Sequence, residues 1–226
     1  MTYYMLILLG IYFIVYLVDS YRKKDLREYL KYIGVFALAG ILSLGLNAPN
    51  ILSTYDYSKY STRSQSELTL NPDGTEKERT SGLDYDYITQ YSYGVFESLN
   101  LVAPRIQGGA SSEDLGEKSN LYKFLIDNNV PKPQADSFIK SVPTYWGNQP
   151  ILEAPAYIGA SVVFLFILAL FVVKGPFKWW LLVSFILSLL LSWGKNFPLL
   201  TNLFIDYFPF YNKFRAVSSI QIILEF

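Results

Sequence analysis

Four long apolar stretches without a charged residue constrain this chain more than any other feature. They are residues 3–18, 32–55, 154–173 and 179–194. An α-helix rises about 1.5 Å per residue, so a hydrocarbon core about 30 Å thick needs about 20 apolar residues. The second and third stretches meet that length, and Trp179, Trp180 and Trp193 are typical interfacial anchors that complete the fourth. Because the runs are uncharged on all sides, we predict transmembrane helices rather than buried helices of a large soluble protein.

The basic residues predict the orientation of these helices. The link 21–31 holds five lysines and arginines, and the link 174–178 holds two lysines and no acid. Basic links between membrane helices favour the cytoplasmic side. We therefore predict two transmembrane helices in residues 1–55, an extracytoplasmic domain in 56–153, and two further transmembrane helices in 154–194.

The predicted fold class is an all-α polytopic membrane protein with a mixed, mainly helical or irregular extracytoplasmic domain. Short helices are expected over residues 120–129 and 133–142, and a turn over 71–74. Residues 195–216 are expected to lie at the outer interface. Residues 217–226 are interpreted as the start of a truncated transmembrane helix in an excerpt of a longer protein, or else as a short helix lying at the membrane. The N-terminus lacks the pattern of a cleaved signal peptide.

Composition excludes several classes of chemistry. The chain has no cysteine and no histidine, which excludes disulfides, thiolate metal sites and a Ser-His-Asp triad. It has 19 basic and 19 acidic residues and no basic run with interleaved aromatics, so nothing indicates a nucleic-acid partner. Any catalysis must use carboxylates, Lys, Arg or Tyr, or residues outside this chain.

Two features of the predicted extracytoplasmic domain are candidate substrate contacts. Asp84 and Asp86 would face the same way in an extended segment and would then share a divalent cation through oxygen ligands. The alternative, which we favour, is a solvated or hydrogen-bonded loop. Trp146 would either stack on a sugar ring or pack the domain onto the membrane, and packing is the favoured interpretation.

The segment 201–216 is the most suggestive stretch for binding. It is rich in aromatic residues and ends in Lys213 and Arg215 before the next apolar run. Arginine presents a planar fork that suits phosphate oxygens, and a lipid phosphate lies at the same depth in a bilayer. The alternative is ordinary snorkelling of basic side chains at a helix end. Lys213 and Arg215 are therefore the candidate lipid-phosphate ligands.

Seven sequence runs together carry a resemblance to a known family. They are YDYSKYSTRS (55–64), SGLDYDYITQYSYG (81–94), PRIQGGAS (104–111), YWGNQP (145–150), VKGPFKWWLL (173–182), LSWGKNF (191–197) and IDYFPFYNKFRAV (205–217). Across nearly its whole length the chain resembles an interior portion of the bacterial YfhO-type membrane proteins, which look like multi-spanning glycosyltransferases of the GT-C type.

The resemblance implies a function and a location. A protein of this type would lie in the bacterial cytoplasmic membrane and move a sugar from a polyprenyl-phosphate donor to an envelope acceptor such as lipoteichoic acid. The family places its acidic catalytic residue in the first outer loop, which a segment before Met1 would hold, so no catalytic residue is assigned and the fragment alone is expected to be inactive. The resemblance also implies that Arg215 lies near the lipid phosphate.

A different functional class stays open beside the enzyme. The chain would then be a non-enzymatic transporter or an assembly scaffold whose extracytoplasmic domain binds a partner. Transporters usually carry charged residues or Gly/Pro breaks within their spans. The spans here are uncharged, and Pro49 lies near one end, which argues mildly against transport.

Overall fold

The computed structural model describes residues 2–61, 74–75, 82–215 and 217–225. Within these ranges the regular structure is helical, and the β-pairing is a single isolated bridge between Glu113 and Val142. The predicted all-α class is therefore confirmed for the described residues. Most of the predicted turn at 71–74 lies outside them.

The described residues form ten α-helices and four short 3₁₀ helices. The α-helices are α1 (Thr2–Lys23), α2 (Leu26–Leu46), α3 (Ala48–Ser58), α4 (Tyr85–Ile88), α5 (Asn120–Asp127), α6 (Lys132–Ile139), α7 (Ala160–Val172), α8 (Phe177–Ser192), α9 (Pro198–Tyr207) and α10 (Ile222–Glu225). The 3₁₀ helices are Phe96–Leu101, Gly194–Asn196, Tyr211–Lys213 and Val217–Gln221.

Helices α1 and α2 form a hairpin, and both are long and apolar enough to span a membrane. Their 22 and 21 residues correspond to about 33 and 32 Å of helix. The basic link predicted over 21–31 is mostly helical, because the chain reverses only at Lys24 and Asp25, where Lys24 adopts a left-handed φ of 60°. The Tyr29 hydroxyl donates to the Phe13 carbonyl at 2.8 Å across the hairpin.

Helices α7 and α8 are shorter than the prediction for their stretches. They contain 13 and 16 residues, about 20 and 24 Å of helix, so neither alone reaches across a hydrocarbon core of about 30 Å. The predicted span 154–173 is wrong in its first part, because residues 154–159 are not helical and Gly159 has a φ of 112°. Two described helices, rather than four, therefore meet the spanning length.

The principal core joins the start of α1, the end of α8 and the C-terminal segments. Its buried members are apolar or aromatic: Tyr4, Ile88, Leu191, Phe204, Tyr211, Val217 and Ile220. On α8, the Trp180 indole also donates to the Leu8 carbonyl of α1 at 3.0 Å. The segment predicted to begin a further transmembrane helix consists of the 3₁₀ helix Val217–Gln221 and the short α10, and it packs against α8.

Residues 82–153, which we call the middle block, lie directly against the end of α8. The Tyr93 amide donates to the Ser192 carbonyl at 2.8 Å, and the Trp193 indole donates to Ser98 Oγ at 2.7 Å. Gly194 has a φ of 48°, and a Cβ there would collide with the Ser92 hydroxyl. The block is thus joined to the apolar helices by short polar contacts at a crowded turn.

The middle block also has a small core of its own, built on α5 and α6. The two helices confirm the short helices predicted over 120–129 and 133–142. Buried residues Tyr122, Ala135, Ile139 and Val142 form this core. The Tyr122 hydroxyl donates to Asp136 Oδ1 at 2.7 Å, and this bond raises the Tyr122 pKa to about 12.

Candidate functional site

A cavity of about 220 Å³ opens where the first turn of α1 meets the segment that follows α9. It is lined by Tyr3, Tyr4, Tyr211, Phe214, Arg215, Val217 and Ser219. Pockets for drug-sized ligands usually measure about 300–1,000 Å³, so this volume suits a compact polar group rather than a large molecule. We call it the tyrosine cavity.

Packed aromatic rings hold the walls of the tyrosine cavity in place. The ring of Tyr3 lies 5.4 Å from that of Phe214 and 6.1 Å from that of Tyr211. Tyr211 in turn contacts Phe204 of α9 edge-on at 5.4 Å. Phe210 precedes this segment with a left-handed φ of 65°, which is unusual for a bulky residue. The wall residues are therefore positioned before any ligand arrives.

Two phenol hydroxyls in the cavity wall have unused hydrogen-bonding capacity. The hydroxyl oxygens of Tyr3 and Tyr211 are buried and have no hydrogen-bond partner among the described residues. The whole Tyr211 side chain is only 3% exposed. A buried polar group without a partner costs about 1–3 kcal/mol, so a ligand acceptor that reached these two hydroxyls would be stabilised by them.

The state of the Tyr211 hydroxyl fits an acceptor-rich ligand. Burial raises the pKa of this phenol well above its usual value. The group therefore remains a neutral O–H donor at any physiological pH. A ligand with oxygen acceptors, such as a phosphate or carboxylate, would satisfy it.

Arg215 supplies the positive charge of the site. Its guanidinium donates to the Tyr87 hydroxyl at 3.2 Å and to Gln90 Oε1 at 2.7 Å. It also lies over the rings of Tyr87 and Tyr91, 4.6 and 5.0 Å from their centroids. No described carboxylate forms an ion pair with it. Two of its five N–H donors are used for positioning, so the others and the charge are available to an anion.

The acidic pair is arranged differently from the prediction. Asp84 has an extended backbone, but Asp86 lies within α4, so the assumption of one extended segment is wrong. Successive side chains turn by about 100° around a helix, so residues two apart do not face the same way there. Both side chains are exposed, and the described residues contain no group of three acidic or other metal-ligating side chains. The divalent cation stays an untested prediction without its geometric basis.

Lys213 and Trp146 do not line the tyrosine cavity. Lys213 ends the 3₁₀ helix Tyr211–Lys213, next to the cavity along the chain. The Trp146 side chain is 68% exposed, although its backbone amide donates to the Gln107 carbonyl at 3.1 Å. Of the five candidate side chains, only Arg215 therefore lies in the cavity wall.

A buried carboxylate in the middle block was missed in the sequence. Glu97 is fully buried in the 3₁₀ helix Phe96–Leu101. It accepts from the Gly94 amide at 2.8 Å, from the Gln149 side chain at 3.2 Å and from the Tyr145 hydroxyl. Burial and this bond to Glu97 raise the pKa of Tyr145. The only sequence signal was an acid within an apolar run, so its partners in YWGNQP were not identified.

The loop Gln107–Ser112 also differs from its appearance in the sequence, where two glycines suggest flexibility. Gly108 has a φ of 84°, and a Cβ there would overlap the Thr144 carbonyl. The Thr144 hydroxyl donates to Glu113 Oε2 at 2.5 Å, and Arg105 Nη2 lies 2.7 Å from Glu113 Oε1. These contacts lower the pKa of Glu113, with the Thr144 bond the larger cause. The glycines therefore let this loop pack closely against Thr144 and do not indicate a flexible loop.

No protein-family model matches the chain, and no curated protein or solved structure matches it either.

Proposed function

We propose that this chain is part of a multi-pass membrane glycosyltransferase in which the tyrosine cavity binds the phosphate of a polyprenyl-phosphate sugar donor. The observation that carries the proposal is that two buried phenols and an arginine, which have no hydrogen-bond or carboxylate partner, respectively, among the described residues, line one compact cavity. Phenol donors and a guanidinium fork match phosphate oxygens in both charge and hydrogen bonding.

The exposed apolar surface of the helices supports a place in the bilayer. α2 and α7 have no buried residue, although both are strongly apolar. In water such surface would be costly, since about 25 cal/mol is lost for each Å² of apolar area left exposed. In this proposal α1, α2, α7 and α8 contact lipid. Local thinning of the bilayer and snorkelling of Lys174 and Lys178 compensate for the shorter second pair.

The position of the cavity supports a lipid-borne ligand. Tyr3 and Tyr4 lie at one end of α1, whereas the basic turn at Lys24 lies at the other. If the basic turn is cytoplasmic, the cavity lies at the outer interface, where a lipid phosphate would be. The resemblance to the YfhO-type proteins supports the sugar-transfer activity, and the catalytic acid would come from outside this chain.

Binding of farnesyl phosphate, a short polyprenyl phosphate, to the purified protein in detergent micelles tests the phosphate site. Tyr211→Phe removes one hydroxyl without changing the ring and is expected to weaken binding about tenfold, as loss of a hydrogen bond to a charged group does. Arg215→Ala should weaken it at least as much, and Arg215→Lys only in part.

Two controls make this experiment specific. Arg27→Ala removes an exposed arginine from α2 and should leave the affinity unchanged. Farnesol lacks the phosphate and should bind equally to all variants. Unchanged farnesyl phosphate affinity in both Tyr211→Phe and Arg215→Ala would refute the phosphate site. A sugar-transfer assay on the complete protein with the same variants then tests the reaction itself.

A further inference from the structure

A second cleft lies at the opposite end of α1 from the tyrosine cavity. It measures about 560 Å³ and is open to solvent. Residues of α1, of the turn after α7 and of the start of α8 line it: Ile14, Val15, Val18, Asp19, Arg22, Gly175, Pro176, Lys178 and Trp179. We call it the basic cleft.

The α1 wall of the basic cleft changes from apolar to cationic along one helix face. Ile14, Val18 and Arg22 follow one another at intervals of four residues, so their side chains lie above one another on that face. The distance from Ile14 to Arg22 along the axis is about 12 Å. A ligand that fills this wall must itself be apolar at one end and anionic at the other.

The charges at the polar end leave two cations without an acidic partner among the described residues. Asp19 is the only acid in the described part of the wall, and it forms a 2.7 Å ion pair with Lys23. Arg22 forms no ion pair with any described carboxylate. Lys178 donates to the Leu170 carbonyl at 2.9 Å, which fixes the ammonium at the end of α7 and leaves two of its donors.

The remaining wall is suited to the interface of a bilayer. Trp179 is 55% exposed at the cleft, and exposed tryptophans favour the level of lipid headgroups. Its neighbour Trp180 packs edge-on against Tyr12 at 5.6 Å and donates to the Leu8 carbonyl. These contacts fix α8 against α1, so the cleft is a formed feature and not a gap between loosely placed helices.

We propose that the basic cleft binds one anionic phospholipid, with its phosphate between Arg22 and Lys178 and an acyl chain along Ile14, Val15 and Val18. Basic pockets between membrane helices on the cytoplasmic side bind lipid headgroups through such charges. A net negative headgroup is required, because the positive choline of a zwitterionic lipid would be repelled by the two cations. The inference rests on the proposed membrane placement and does not depend on sugar transfer.

Titration of the purified complete chain in detergent micelles with phosphatidylglycerol tests this inference. Native mass spectrometry counts the bound lipids and gives their affinity. Phosphatidylglycerol is expected to bind one molecule per chain about tenfold more tightly than phosphatidylcholine with the same acyl chains. Arg22→Gln should lower the phosphatidylglycerol affinity about fivefold, the effect of one basic group near the surface.

Matched variants distinguish binding at a specific site from general attraction to the basic surface. Arg27→Gln removes one positive charge from the same basic turn region but from outside the cleft, and should change the affinity little. Lys178→Gln should weaken binding as Arg22→Gln does. If Lys178→Gln unfolds the chain because the contact with α7 is lost, the comparison of Arg22→Gln with Arg27→Gln alone tests the proposal. Equal losses in Arg22→Gln and Arg27→Gln would overturn the proposal.

Competition experiments and a second ligand test which chemical group the basic cleft binds. Inorganic phosphate and glycerol 3-phosphate should not displace phosphatidylglycerol at comparable concentrations, because they lack the acyl chain. Displacement by either would overturn the lipid assignment, as would equal affinity for phosphatidylcholine. Arg22→Gln should leave the loss of about tenfold in farnesyl phosphate affinity in Tyr211→Phe unchanged, so failure at the basic cleft is distinguishable from failure at the tyrosine cavity.

Discussion

Replacement of Glu97 by glutamine should destabilise the contact between residues 94–101 and 145–149, so that it opens more often. The glutamine has nearly the same shape but one acceptor oxygen in place of two. In one orientation its NH₂ group faces the Gly94 amide, and in the other it faces the Gln149 side-chain amide. In the first orientation two donors meet at Gly94. In the second the Gln149 amide can turn over, but the Tyr145 hydroxyl loses its acceptor in a site that is fully buried.

The magnitude follows from these hydrogen bonds. One buried donor loses its acceptor, which costs about 2 kcal/mol, and the Tyr145 bond loses its charge, which costs about 1 kcal/mol more. The stability of the local contact should therefore fall by about 3 kcal/mol. Because each 1.4 kcal/mol is a factor of ten, the opening equilibrium should rise about 100-fold.

Amide hydrogen exchange measured by mass spectrometry reports this opening directly. Peptides that contain the Gly94 and Asn148 amides should exchange about 100-fold faster in Glu97→Gln, since both amides donate to Glu97 Oε2. Peptides from α5 and α6 should be unchanged, because their core is separate. Glu153→Gln, at an exposed position, is the matched control. Unchanged protection around Gly94 in Glu97→Gln would refute the assignment of Glu97 as the central acceptor.

Two other substitutions test the contacts that shape the middle block. The folded-state pKa of Glu113 lies below its ordinary value of 4.5, so its contribution to stability is present above pH 4.5 and is lost as pH falls through the lower folded value. Glu113→Gln should flatten this acid limb in a circular-dichroism titration, and an unchanged limb would contradict the assignment. Gly194→Ala should cost about 3 kcal/mol, because a Cβ would collide with Ser92 and approach Val217 Cγ2 at 2.6 Å. Gly116→Ala also has a positive φ, 70°, but open space around the added Cβ, so equal thermal stability of the two variants would count against the crowding argument.

Local patterns in the sequence predicted the helical class and the small helices correctly. Apolar runs without charge specify helices through the residues themselves, and α5 and α6 follow from short-range spacing and turn residues. The same reasoning overestimated the length of α7, because an apolar composition does not reveal that the helix begins only after Gly159. It also treated Asp84 and Asp86 as one extended pair, since four residues carry too little periodicity to distinguish a helical turn from a strand.

The tyrosine cavity shows what only tertiary structure decides. Arg215 was identified from its own chemistry, a cation at the end of an aromatic segment. Its partners Tyr87 and Gln90 are more than 120 residues away, and Tyr3 meets Tyr211 across almost the whole chain. No local pattern encodes such pairings.

The sequence by itself therefore determined the apolar helices, the absence of histidine and cysteine chemistry, and one cation of the proposed phosphate site. The tertiary structure decided which hydroxyls surround that cation, where Glu97 finds its donors, and where the second cleft forms. The physical reason is that apolarity and helix propensity belong to a residue and its neighbours. Burial and unsatisfied hydrogen bonds depend on which distant segments the fold brings together.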